Sequence, residues 1–239
     1  MGQRKIDIFD STLRDGAQGQ GISFSLEDKL KIVRVLDDLE VTYIEAGNPG
    51  SNPKDMEFFK RLKGERLKNS KIVAFGSTRR PNTEVGEDKN IKNLLLAETS
   101  VVTIFGKSWD FQVKEILKTS LDENLNMIGD TIKYLVSKNK EVIFDAEHFF
   151  DGYKQNKEYA ISTVKIAAEE GAKSVVLCDT NGGTLPDEIR NITKEVVNII
   201  GVNVGIHCHD DMGMAVANSI VAAQVGANQI QGTFIGIGE

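Results

Sequence analysis

Residues 174–209 read SVVLCDTNGGTLPDEIRNITKEVVNIIGVNVGIHCH, and this stretch decides the fold. The apolar run Ser174–Asp179 predicts a buried strand, and a glycine-containing turn follows it. Pro186 suits the first turn of a helix, where its missing N–H costs nothing. Ile189, Ile192, Val196 and Ile199 then recur at helical spacing until Gly201, which is read as the cap, and Val202–His209 is a second strand. Strands joined through a helix run parallel. The same unit repeats outward in both directions. Further strands are expected at Ile6–Ser11, Tyr43–Gly47, Lys71–Gly76, Val101–Gly106, Glu141–Glu147 and Gln229–Phe234. Between the first two, Leu26, Leu30, Val33, Leu36 and Leu39 mark a helix opened by Ser25, and Gly171 and Gly226 close two others.

Eight strands alternating with helices fit either an open doubly wound sheet or a closed (β/α)₈ barrel. Polar residues end several strands: Asp10, Glu45, Glu147, Asp179 and His209. Barrel enzymes build their sites around that whole rim, whereas open sheets use one crevice. The expected fold class is therefore α/β, a TIM-type (β/α)₈ barrel, in a single domain over residues 1–239. Two segments break the rhythm. Ser77–Asn90 is a long polar loop, and Lys107–Glu123 holds Trp109, Phe111, Val113, Ile116 and Leu117, read as a short extra helix over the barrel mouth. Such loops are as readily functional as they are surface insertions.

Composition narrows the function classes. Of 239 residues, 40% are hydrophobic and 27% charged, which suits a globular core. The formal charge of −6 argues against general binding to nucleic acid or anionic membranes. No run of eighteen apolar residues occurs and the mean hydropathy is −0.23, so no membrane span is expected. The N-terminal MGQRKIDIFDS has no secretory pattern, and the two cysteines, Cys178 and Cys208, make no disulfide framework; a cytoplasmic setting is expected. Both cysteines are read as small buried hydrophobes facing the helices.

The sharpest constellation is His207-Cys208-His209. Alternation puts both imidazoles on one strand face, with Cα atoms about 6.5 Å apart, where they can converge on one cation. A third ligand is available in DSTLRDGAQ, residues 10–18, where Asp15 would complete a two-histidine, one-carboxylate set. Arg14 offers a permanent cation for a carboxylate or developing oxyanion. Asp145 and Glu147 share one face of the fifth strand, and either suits a general base, Glu147 being nearer the mouth. His148, on the opposite face, is read as a solvent-side or loop-packing histidine. Thr180 places a hydroxyl where a bound carboxylate can lie. Gly182 and Gly183 are weak signals for phosphate, and no Walker or dinucleotide pattern is present.

IDIFDSTLRDGAQ, YIEAGNPGSNPKD, IKNLLLAETSVVTIFGKSWD, FDAEHFFDGYK, VVLCDTNGGTLP and HCHDD together resemble the citramalate synthases of the isopropylmalate and homocitrate synthase group, over essentially the whole chain. DSTLRDG with His-X-His marks the wider group of metal-dependent acyl transferases and lyases. FGSTRR, FGKSWD and FDAEHFFDGYK mark the narrower branch. The resemblance implies a divalent cation, Mg²⁺ or Mn²⁺ ahead of Zn²⁺, held by Asp15, His207 and His209. Arg14 would polarise a keto-acid oxygen, Glu147 would assist proton removal, and Thr180 would hold the keto-acid carboxylate. Glu45 and Asp145 would line the pocket. The implied reaction condenses acetyl-CoA with pyruvate, the entry to one bacterial isoleucine route. Isopropylmalate or homocitrate synthase chemistry on a larger keto acid, a metal-dependent lyase, and a non-catalytic barrel are the alternatives.

Two departures stand out. Asp210 occupies a position that is Asn in the family pattern. The sequence also stops at FIGIGE, before the family's Arg-Cys-Gly-Asn-like stretch, the eighth barrel helix and later domains. The expectation is a barrel without its last helix, with the outer face of strand eight bare between the first and seventh helices. Such a face invites self-association as a homodimer. A chain of this extent alone is expected to bind metal but make little or no citramalate.

Overall fold

The computed structural model describes residues 5–51 and 53–238. The first four residues of MGQRKIDIFDS, Asn52 of YIEAGNPGSNPKD and Glu239 of FIGIGE lie outside them. Eight parallel strands close into a barrel in sequence order: β1 Asp7–Asp10, β2 Tyr43–Gly47, β3 Lys71–Ser77, β4 Val101–Lys107, β5 Glu141–Glu147, β6 Ser174–Asp179, β7 Asn203–Cys208 and β8 Gln229–Gly232. The expected TIM-type architecture is the one observed. β1 pairs with both β2 and β8, which closes the ring.

Helices α1 Leu26–Asp38, α2 Pro53–Leu62 and α3 Lys89–Leu96 follow the first three strands. After β4 comes α4 Asp110–Gln112, which runs into a π-turn at Val113–Leu117, the extra helix expected near the mouth, and then α5 Leu121–Ser137. α6 Phe149–Gln155, α7 Lys157–Glu169, α8 Pro186–Ile199 and α9 Ala215–Val225 complete the outer layer. The starts are chemically marked. Ser25 and Asp28 form a reciprocal capping box on α1, and the Asp88 side chain accepts the N–H groups of Asn90 and Ile91 at the start of α3. Gly226 ends α9 at φ 131°, where an added Cβ would lie 2.6 Å from Val197. Gly201 does not play that part. α8 ends instead through Ile200, in extended conformation at φ −98°, so the chain enters β7 without a left-handed residue.

Strand alternation divides the core into two layers. Outward side chains such as Ile44, Ala74, Val102, Ile104, Phe144, Leu177 and Ile206 are buried beneath the helices. Inward side chains Phe9, Tyr43, Val73, Val101, Ile143, Val176 and Cys178 fill the lower barrel. Cys178 is thus a correction: on β6 the outward positions are Val175 and Leu177, so Cys178 faces the interior and reaches the cavity above it. Cys208, on β7, packs on the helix side as expected.

Among the described residues, several large apolar side chains are exposed along β1 and the helices α1 and α9. Ile8 of β1 and Ile230 of β8 are register partners pointing outward, and Ile8 is 46% exposed. On α9, Val216 is 74% and Ile220 52% exposed, while Val35 and Leu39 are exposed at the end of α1.

Candidate active site

The C-terminal ends of the strands surround a cavity of about 450 Å³. Its lining includes Arg14, Asp15, Asp145, Glu147, Thr180, His207 and His209. Three of these converge. Asp15, in the turn after β1, places Oδ2 3.4 Å from His207 Nε2 and 3.8 Å from His209 Nε2. The two imidazole centroids are 5.1 Å apart. One ligand atom from each of Asp15, His207 and His209 falls within 4.8 Å of the others, a spacing that can hold a metal ion.

The tautomers suit that use. His207 Nδ1 lies 2.8 Å from Gln231 Oε1, and His209 Nδ1 lies 2.9 Å from the Thr180 carbonyl oxygen. Each Nδ1 therefore carries a hydrogen that it donates, which leaves each Nε2, the nitrogen facing Asp15, as the one available to a cation. Without a cation, these groups neutralise one another. Burial raises the Asp15 carboxyl, but the His207 contact and the Arg14 charge outweigh it and hold the group well below the usual range. Burial works against protonation of His207, yet the Asp15 contact overrides it and its pKa is raised. A carboxylate facing two imidazole nitrogens is a donor set that fits a divalent cation.

Arg14 is fixed from three sides. Its Nε donates to Glu45 Oε2 at 2.6 Å, one terminal nitrogen donates to Asp15 Oδ1 at 3.1 Å, and the guanidinium lies 4.1 Å from the Phe75 ring centroid. Glu45 is fully buried; its Oε2 also accepts the Ser11 hydroxyl at 2.6 Å, while Oε1 has no protein partner among the described residues. Asp145 accepts from Gln231 Nε2 at 3.0 Å, and burial together with the Glu45 charge pushes its carboxyl up to about 7. Glu147 stands higher on β5, 2.5 Å from Lys107 Nζ.

All eight residues singled out by sequence reach this mouth, Glu45 by holding Arg14 from below. Two strand-end carboxylates do not. Asp10 accepts from the N–H and hydroxyl of Thr12, and Asp179 from those of Thr184, so each braces its own turn outside the barrel. Sequence reasoning missed Gln231, Lys107, Phe75 and Phe105. Register would have found the first two, since Gln231 pairs with His207 and Lys107 with Glu147 across neighbouring strands. Phe75 and Phe105 stack at 5.1 Å and wall the cavity.

A barrel whose mouth gathers two histidines, a carboxylate and an anchored arginine belongs to the class of parallel (β/α)₈ barrels with a candidate metal site at the C-terminal rim. Residues 5–239 match the HMGL-like family model, and the chain belongs to that family. It is 58% identical over 236 residues to an (R)-citramalate synthase of Aquifex aeolicus, covering 98% of this chain and 45% of that protein. It is 51% identical to the (R)-citramalate synthase of Sulfolobus acidocaldarius, covering 100% of this chain and 46% of the relative. The chain thus spans less than half the length of these two relatives. The crystal structure of Bacillus subtilis HMG-CoA lyase superposes with a TM-score of 0.80 at 22% identity, covering 99% of this chain and 79% of the lyase, a likeness of fold. No helix among the described residues is long and apolar enough to cross a membrane.

Proposed function

We propose that this mouth binds one divalent cation, Mg²⁺ or Mn²⁺ ahead of Zn²⁺, and condenses acetyl-CoA with pyruvate to citramalate and CoA. The observation that carries the reading is the convergence of Asp15, His207 and His209 beside a braced Arg14. The likeness to two (R)-citramalate synthases over nearly all of this chain supports it. A mixed nitrogen and oxygen donor set with room for substrate oxygens suits Mg²⁺ or Mn²⁺.

When bound, the cation polarises the keto group and offsets charge on its oxygen. The protein's own groups do the rest. Thr180 offers its hydroxyl to the pyruvate carboxylate. Glu147, positioned by Lys107, takes a proton from the acetyl methyl group, and the freed electron pair forms a bond to the keto carbon. Arg14, with Glu45 and Phe75 fixing its plane, directs its remaining N–H groups at the oxygen that becomes an alkoxide. That oxygen then takes up a proton, and water cleaves the thioester to release CoA and citramalate. Asp145 lines the floor and holds Gln231 against His207.

A homodimer is proposed as well, and sedimentation of the complete protein reads it. Two free cysteines suit the cytoplasm. The test of the activity is CoA release by the complete protein with acetyl-CoA and, in turn, pyruvate, 2-ketoisovalerate and 2-oxoglutarate. Pyruvate is expected to be the best acceptor. Preference for a larger acid would instead mark an isopropylmalate or homocitrate synthase, and CoA release with none of them would overturn the reading.

A further inference from the structure

We propose that His148 is a positioning residue for the keto acid: its left-handed backbone turns the hydroxyl hydrogen of Thr180 into the cavity. The inference rests on the functional reading above. His148 directly follows Glu147 and adopts φ 55°, ψ 34°. A residue with a Cβ enters that region at a cost, so it stays there only where its surroundings hold it. In this conformation the chain leaves β5, and the His148 N–H donates to Thr180 Oγ1 at 2.9 Å. A hydroxyl that accepts from an N–H cannot aim its own hydrogen at the same donor. Thr180 lines the cavity, so the directions left to that hydrogen include the site of the substrate carboxylate. The same residue's carbonyl oxygen takes the hydrogen of His209 Nδ1, so Thr180 joins the acid's anchor to the metal-facing imidazole.

The surroundings of His148 form a clamp. Its Nδ1 lies 3.3 Å from Asp151 Oδ2, and Asn181 Nδ2 donates to that same oxygen at 3.0 Å. One carboxylate thereby ties the β5 end to the residue after Thr180. On the other side the Trp109 ring lies 5.6 Å from the imidazole, and its Nε1 donates to Gln155 Oε1 at 2.8 Å. α6 approaches Ser108 and Trp109 so closely that a Cβ on Gly152 would sit 2.2 Å from the Ser108 carbonyl oxygen. None of these clamp residues belongs to the Asp15, His207 and His209 triad.

Steady-state kinetics on the complete protein with Mn²⁺ tests this. The varied keto acid is whichever of pyruvate, 2-ketoisovalerate and 2-oxoglutarate the wild type turns over fastest. His148→Val puts a β-branched residue where the left-handed region is least tolerated. It is expected to raise KM for the keto acid about tenfold or more, the loss of one hydrogen bond to a charged group. KM for acetyl-CoA and bound metal per chain should not move. His148→Asn, which accepts the left-handed region, should restore most of the keto-acid KM. Thr180→Val should cost as much as His148→Val, and combining the two should cost nothing further. If His148→Val does not fold, Asp151→Asn, alone and on Thr180→Val, gives the same comparison through the clamp.

Equal losses in the Val and Asn variants, multiplying effects with Thr180→Val, or a rise confined to acetyl-CoA would overturn the proposal. An active wild type with a fully active His148→Val sinks this inference alone. A wild type that turns over none of the three acids sinks the functional reading and this inference with it.

Discussion

Arg14 Nε lies 2.6 Å from Glu45 Oε2, and the carboxylate beneath it is shut off from solvent altogether. A buried ion pair of this kind does little for net stability, but removing one partner strands the other. The pair instead holds a guanidinium in one plane at the mouth, backed by Phe75. Glu45→Ala is therefore expected to destabilise the metal-free protein by about 3–5 kcal/mol, read from urea unfolding. A loss below about 1 kcal/mol would mean that Arg14 finds equal partners elsewhere.

Arg14→Ala should lower keto-acid-dependent CoA release about 10²–10³-fold, the usual effect of losing one preorganised donor to a developing oxyanion. Metal content per chain should persist. Near-normal turnover would reduce Arg14 to an ion-pair partner of Glu45 and Asp15.

The pH dependence of the metal-free protein should carry the mark of Asp145, whose carboxyl is pushed up to about 7 by burial and the Glu45 charge. A carboxyl with a folded-state pKa above its unfolded value costs stability as pH rises from about 4 to about 7. Asp10, pushed up to about 6 by burial, acts in the same direction. Asp145→Asn should gain stability over wild type progressively across that window and level off above it. A difference that is flat between pH 4 and pH 7.5 in urea titrations would contradict this.

The loop after β3 is anchored by Arg79, whose side chain is 7% exposed and pairs with Glu123 and Asp130 on α5, each at 2.7 Å. The Arg79 N–H also donates to the Thr131 hydroxyl at 2.9 Å. Arg79→Ala should cost about 2 kcal/mol and open residues 80–87 to proteolysis, with metal affinity unchanged. Resistance to cleavage equal to wild type would show that the loop holds without it.

The barrel was legible because each strand is a short apolar run and each helix keeps its spacing, so β2, β5 and β6 begin and end where the pattern sets them. The triad was legible for a related reason. Alternation alone puts His207 and His209 on one face, and DSTLRDG sits at the end of β1, separated from β7 by β8 alone. Parity within a strand does not, however, say which parity faces the axis. Asp179 and Cys178 were exchanged for that reason, and only the outward burial of Val175 and Leu177 resolves them. The end of α8 was misread because a glycine in a turn resembles a cap whatever its φ. The left-handed turn at His148 left no trace in composition, since it depends on Trp109, Asp151 and Gly152 arriving from other parts of the fold.

The central claim is that the keto acid binds through a cation held by Asp15, His207 and His209. Titrating pyruvate calorimetrically into the protein, with and without saturating Mn²⁺, tests it most directly. The account predicts one pyruvate per chain when Mn²⁺ is present, with no measurable binding in its absence or in a His207→Ala, His209→Ala double variant. Pyruvate binding of equal strength without the metal, or its survival in the double variant, would contradict it.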